Sequence, residues 1–155
     1  MSGMEIGSYS SLLLIYANTN NMSTFTLYTD GGARGNPGPA ATGIVIKNET
    51  NETIANYGEY LGEQTNNFAE YSALISGLKK AKELGAEKII CKADSKLVIE
   101  QVSGRWKVKE PSLQPLVLEV YKLLQTFPKS YSLQHIPREL NKEADAEVNK
   151  VLDQQ

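Results

Sequence analysis

Four carboxylates stand where an acid must be explained. Asp30 closes the alternating run Phe25-Thr26-Leu27-Tyr28-Thr29, directly before a glycine-rich stretch that reads as a turn. Asp94 closes a short apolar strand around Ile89-Ile90, directly before a helix start. Glu70 lies in the first turn of the next predicted helix, four residues before Leu74 and eleven before Ala81, at the border of the buried stripe. Asp145 falls in the first turn of the closing helix, four residues after Asn141. Each acid alone fits a plainer role: Glu70 and Asp145 as partners of helix dipoles, Asp94 as an N-cap. Together, two acids at strand ends and two in helix first turns make an all-oxygen site with no Cys or His, suited to Mg²⁺ or Mn²⁺. Divalent pairs held roughly 3.5–4 Å apart assist in-line phosphoryl displacement, and spacing carries the reading no further.

The elements that must position these acids read as follows. Strands are expected over Phe25–Asp30, Thr42–Ile46 and Thr53–Tyr60, with Gly31–Pro39 and Lys47–Glu52 as turns. A helix follows, with Asn66-Asn67 as N-cap, Tyr71, Leu74, Ile75, Leu78 and Ala81 on its buried face, and Gly85 as stop. Then come a strand over Lys88–Ala93, helices over Ser95–Val102 and Pro111–Phe127, a strand over Ser130–Ile136 and a helix over Asn141–Leu152. The order β-β-β-α-β-α-α-β-α implies an α/β fold. Its mixed five-stranded sheet has three antiparallel strands first, then strands reached by crossovers and so parallel to the first. Functional groups gather at the carboxyl ends of such parallel strands, which would let Asp30 and Asp94 approach.

The chain has 155 residues and 41% hydrophobic composition, enough for one domain. Residues 1–22 read as an N-terminal extension, with Met22 a candidate natural start, and 23–155 as the single domain that holds the four acids. The apolar stretch Ser11–Ala17 has no Lys or Arg before it and is not read as an export signal. No apolar run approaches membrane-spanning length, so no membrane association is expected. The single Cys91 excludes an internal disulfide and fits a reducing cytoplasm. A net charge of −2 excludes a protein that grips nucleic acid by overall charge, so any such contact is local. Lys88–Lys109 supplies a local balance of +4, with Trp106 between Arg105 and Lys107. An ordinary solvated surface explains the charges alone; the interleaved aromatic favours stacking or sugar packing while cations meet phosphates.

Four blocks carry a resemblance. Tyr28-Thr-Asp-Gly-Gly-Ala-Arg-Gly-Asn-Pro-Gly-Pro39, Thr65-Asn-Asn-Phe-Ala-Glu70, Ala93-Asp-Ser95 and Pro137-Arg-Glu-Leu-Asn-Lys-Glu-Ala-Asp145 resemble, in order, the signatures of type 1 ribonucleases H over about residues 24–152. The resemblance implies the ribonuclease H-like fold and an endonuclease that hydrolyses the RNA strand of RNA–DNA hybrids with two Mg²⁺ ions, Mn²⁺ substituting. Its products would carry 5′-phosphate and 3′-hydroxyl ends. It implies Asp30, Glu70, Asp94 and Asp145 as catalytic metal ligands. It also implies Asn36, Thr65, Asn66 and Asn67 as contacts to the DNA-strand phosphate or the minor groove, where the RNA 2′-OH marks the strand to be cut. Lys96, Trp106 and Lys107 are expected to add substrate contacts, and glycines 31, 32 and 35 either to admit the hybrid backbone or simply to turn the chain. A monomer in the cytoplasm is expected.

The chain departs from the family pattern twice. Bacterial members carry a long basic loop after the helix that follows the third acid, whereas this chain has only Gly104–Glu110, as in compact variants without the protrusion. Weaker, more salt-sensitive binding is expected. Many members also place a histidine in a loop before the fourth acid. His135, ten residues before Asp145, fits by spacing, but Gln134-His135-Ile136 continues a strand. Aligning that strand makes His135 structural and brings Arg138 or Glu139 to the acids. Arg138 is therefore preferred to His135 as an electrostatic assistant, not a base, because a guanidinium does not deprotonate. The competing readings are a nuclease that also or chiefly cuts double-stranded RNA, a non-catalytic hybrid-binding module, and an unrelated fold with fortuitous acids. Clustered carboxylates argue against a module that only binds a polyanion.

Overall fold

A computed structural model describes residues 23–155. The expected extension over 1–22 lies outside the described residues.

Five strands form one mixed sheet: β1 (Thr24–Ala33), β2 (Gly38–Lys47), β3 (Thr53–Gln64), β4 (Lys88–Ala93) and β5 (Ser130–His135), in the spatial order β3-β2-β1-β4-β5. The first three are antiparallel neighbours, while β4 runs parallel to both β1 and β5. The helices are α1 (Asn66–Glu83), α2 (Lys96–Val102), α3 (Gln114–Leu124) and α4 (Lys142–Asp153). The element order and mixed sheet are those expected from the sequence.

Strand alternation assigns the two faces. Leu27, Ile44, Ile46, Ile89 and Cys91 point to one side, where they join Leu74 and Leu78 of α1 and Val117, Val120 and Leu124 of α3 in the main core. Ala41 points to the other side and packs with Val148 and Leu152 of α4. The helix α1 ends as its sequence predicts: Gly85, at φ +93°, lets Ala86 N–H reach Ala81 O and its own N–H reach Lys82 O, a Schellman closure.

Several boundaries differ from expectation, each for a physical reason. Asp30 does not end its strand. β1 runs on to Ala33 because Gly31, Gly32 and Ala33 pair with Thr42, Ala41 and Ala40, leaving only Arg34–Pro37 as the turn. The cap of α1 is Thr65, whose hydroxyl accepts from Phe68 N–H at 3.2 Å, rather than Asn66 or Asn67. Glu70 therefore lies in the second turn, beyond the N-terminal dipole end, and the dipole explanation for this acid fails. Ser95, not Asp94, caps α2 by accepting from Val98 N–H. The expected helix over Pro111–Phe127 begins as a 3₁₀ turn over Pro111–Leu113 and ends at Leu124. Pro115, whose ring fits only near a helix start, falls at the opening of α3.

Candidate functional site

The last residues paired in parallel between β1 and β4 are Thr29 and Ala93. One step further along each strand stand Asp30 and Asp94. Beyond them β1 stays paired with β2, Asp30 opposite Gly43, while β4 gives way to α2, so the sheet splits and leaves a cleft.

Two glycines seat the helices that deliver the other acids. A Cβ on Gly31 would overlap the Ala69 carbonyl and the Glu70 nitrogen, so only glycine lets α1 lie this close to β1 and bring Glu70 beside Asp30. A Cβ on Gly43 would overlap the Ala144 carbonyl, so α4 with Asp145 rests on the residue facing Asp30 in the ladder. Gly31 is thus occupied by the protein's own helix, not open to a hybrid backbone.

Asp30, Glu70 and Asp94 each offer a carboxylate oxygen, and these atoms lie within 4.8 Å of one another. Asp145 lines the same cleft, of about 470 Å³, without belonging to that trio. Burial and the charge of Asp94 push the Asp30 carboxyl up to about 7, with Asp145 adding to the rise. Burial, then Asp30 and Asp94, hold Glu70 well above the ordinary carboxylate range. Without a cation, burial and mutual repulsion favour the protonated forms of Asp30 and Glu70. Among the described residues the cation nearest to forming a pair with it is Arg138, whose Nε stands 4.0 Å from Asp94 Oδ2 while its side chain is 82% exposed. An all-oxygen donor set with so little compensating charge fits Mg²⁺ or Mn²⁺. A larger groove of about 890 Å³ between β3, α1 and α3 brings together no such cluster, so size does not locate the chemistry.

The other expected residues fall around this cleft unevenly. Asn66 and Asn67 line it; Asn66 Oδ1 accepts from Ala33 N–H at 2.8 Å, and Asn36 Oδ1 accepts from Asn66 N–H at 3.1 Å. Thr65 is engaged as the cap of α1. Lys96, at the start of α2, places its Nζ 5.9 Å from the Trp106 ring, which is 45% exposed. Lys107 is exposed, and its carbonyl accepts from Gln101 Nε2. His135 closes β5 and its ring nitrogen meets the Asp94 carbonyl at 3.3 Å, whereas Arg138 lines the cleft itself.

Sequence reasoning missed three residues at the site. Gly31 read as a glycine that admits a hybrid backbone or turns the chain, Gly43 as a strand glycine, and only the helices packed on them reveal their use. Asn141, 2% exposed, donates from Nδ2 to Thr29 O at 2.8 Å and to Asp94 Oδ1 at 3.2 Å. Its sequence signal was an asparagine before a helix, yet its side chain makes no cap bond.

A family model described as "Reverse transcriptase-like" matches residues 28–151. Ribonuclease HI of Halobacterium salinarum is 41% identical over 126 residues, which cover 81% of this chain and 63% of that protein. The chain belongs to the ribonuclease H family. The bifunctional protein Rv2228c of Mycobacterium tuberculosis is 44% identical over 125 residues, 80% of this chain and 34% of that protein, so this chain spans only part of these relatives. The crystal structure of ribonuclease H1 from the same Halobacterium superposes with a TM-score of 0.83 at 39% identity, covering 85% of this chain and 99% of that one. A compost-derived ribonuclease H1, LC11, solved in complex with an RNA/DNA hybrid, gives 0.79 at 40% identity over 84% of this chain and 97% of that one. The ribonuclease H-like fold expected from the sequence motifs is therefore the fold of this chain. Among the described residues no helix is long and apolar enough to cross a membrane.

Proposed function

We propose that residues 23–155 form a ribonuclease H domain that hydrolyses the RNA strand of RNA–DNA hybrids, leaving 5′-phosphate and 3′-hydroxyl ends. The observation that carries this reading is the convergence of Asp30, Glu70 and Asp94 within 4.8 Å at the split between β1 and β4. The hybrid-bound relative supports the choice of substrate.

Asp30, Glu70, Asp94 and Asp145 would hold two Mg²⁺ ions, Mn²⁺ substituting. When bound, such ions supply charge neutralisation for an in-line displacement at phosphorus. Asp30, whose carboxyl feels both Asp94 and Asp145, would be a central ligand of this set. Glu70, entering from α1, orients the RNA 2′-OH or the attacking water. Arg138 presents a permanent positive charge to the phosphate or the leaving group, a role that His135, held in β5 against the Asp94 carbonyl, is less well placed to fill. The side-chain oxygens of Asn36 and Asn66 are occupied by protein N–H groups, which leaves their NH₂ groups as donors toward a DNA-strand phosphate or groove edge. Asn67 and Thr65 would flank them, while Lys96 and Lys107 would meet phosphates with Trp106 packed against a sugar. The buried, unpaired Cys91 fits a reducing cytoplasm, and the domain is proposed to act there as a monomer.

The test is parallel digestion of labelled hybrid, RNA duplex and DNA duplex, with and without Mg²⁺ or Mn²⁺, by the wild-type chain and by Asp30→Asn. Expected are cations required, hybrid preferred, and near-complete loss of turnover in the variant with its fold and hybrid binding retained. Wild-type cleavage by Asp30→Asn would overturn the assignment, and a preference for RNA duplex would replace the substrate while keeping the site.

A further inference from the structure

Asn141 joins the 3₁₀ turn Arg138–Leu140 to α4 and is nearly sealed from solvent, 2% exposed. Its Nδ2 lies between two pure acceptors, the Thr29 carbonyl and Asp94 Oδ1. Only the NH₂ end of the amide can face that pair, because the reverse orientation would set oxygen against oxygen twice. The consequence falls on the other end: Asn141 Oδ1 is buried without a hydrogen-bond partner among the described residues. An asparagine placed only to start α4 would turn its oxygen to a helix N–H, and this one makes no such bond. Its geometry is explained by what the amide holds, not by the helix it precedes.

What it holds is the open end of the sheet. Thr29 is the last β1 residue paired with β4, and Asp94 is the first residue after β4. One amide thus ties the two strands where their backbone pairing ends, and fixes one oxygen of a carboxylate whose terminal torsion is otherwise broad. The other oxygen, Oδ2, is the one nearest Arg138.

We propose that Asn141 is a positioning residue for Asp94: it locks the carboxylate in the orientation that offers an oxygen to the same centre as Asp30 and Glu70, without touching substrate. The proposal rests on the reading of these acids as cation ligands. Partners that orient ligating carboxylates typically matter about 10–100-fold in metal affinity or activity.

The experiment compares wild type, Asn141→Ala, Asp94→Asn and the double variant, using Mn²⁺ as the probe. Calorimetric titration of the metal-free chains gives the Mn²⁺ affinity, and hybrid cleavage gives kcat and KM separately. Asn141→Ala is expected to lose about 10–100-fold in Mn²⁺ affinity and in kcat, while KM for hybrid stays within about twofold because the side chain is buried and does not line the cleft. The double variant is expected to bind Mn²⁺ no more weakly than Asp94→Asn, since Asn141 acts through Asp94. If Asn141→Ala melts earlier but keeps wild-type Mn²⁺ affinity and kcat, the residue is only a structural brace and the proposal is overturned. If Asn141→Ala does not fold, Asn141→Asp, which keeps the shape and replaces the donor by an acceptor, is expected to lose at least about tenfold in kcat at unchanged KM; wild-type turnover there overturns the proposal equally. Should Asp94→Asn itself bind Mn²⁺ and turn over normally, the cation reading of the cleft falls, and this inference with it.

Discussion

Without a cation, Asp30 titrates at about 7, because burial and the neighbouring Asp94 both disfavour its charge. An unfolded aspartate titrates near 3.8, so between those values the folded chain keeps a proton that the unfolded chain has released. Stability must therefore fall as pH rises from about 4 to about 7, and Glu70, shifted in the same direction, deepens the fall. The metal-free protein is expected to melt at a lower temperature near pH 8 than near pH 5, and Mg²⁺ to restore more stability at the higher pH, where no proton need be displaced; equal Mg²⁺ effects at both pH values would contradict the electrostatic account. Asp30→Asn removes the repulsion, so its metal-free melting temperature near pH 8 should exceed that of wild type while its response to Mg²⁺ shrinks. For the assistant residue, Arg138→Ala is expected to lower kcat more than His135→Ala, and the reverse order in single-turnover cleavage would restore the histidine. The convergence of Asp30, Glu70 and Asp94 and the presence of Asp145 in the same cleft were legible from residue type, spacing and motif order. Asn141 was not, because nothing in a sequence tells whether an asparagine before a helix turns its amide to the helix or away from it.

The elements were legible where local chemistry decides them. The 3.6-residue spacing of Tyr71, Leu74, Ile75, Leu78 and Ala81 marks α1, whose positions 71, 74, 75, 78 and 81 are all buried, and Gly85 marks its end. What was missed depended on pairing: Asp30 looks terminal because glycines follow it, yet β2 holds Gly31–Ala33 in the sheet. The exchange of Asn66 for Thr65 as cap turns on which side chain is free, since Asn66 Oδ1 is taken by Ala33 N–H. Removing that cap through Thr65→Ala should destabilise the chain by about 1 kcal/mol in urea unfolding with only a modest change in kcat. A strand-glycine change should behave differently. Gly31→Ala sets a methyl against the Ala69 carbonyl and the Glu70 nitrogen, so α1 must shift away from β1. A destabilisation of about 1–3 kcal/mol is expected, together with a loss of turnover far larger than that of Thr65→Ala. If both variants lost stability and activity in the same proportion, the seat of α1 would not control the position of Glu70.

As a whole the molecule is an acidic chain, net −2, with a cleft of carboxylates, and under the proposed function it would nevertheless have to hold a polyanion. Attraction is left to a few exposed cations, among them Lys96 and Lys107 beside Trp106, so affinity for hybrid should drop steeply between low and moderate salt. A flat salt response in equilibrium binding would mean that the grip lies elsewhere. The bare surfaces of Gly31 and Gly43 carry a last consequence, one for anyone hardening this protein against heat. Exchanging glycine for alanine ordinarily stiffens the denatured ensemble and raises melting temperature. At these two positions that route is closed, since each is the berth of a helix delivering an acid. Thermal improvement has to be sought at the opposite end of the sheet, where side chains can be repacked without moving the catalytic geometry.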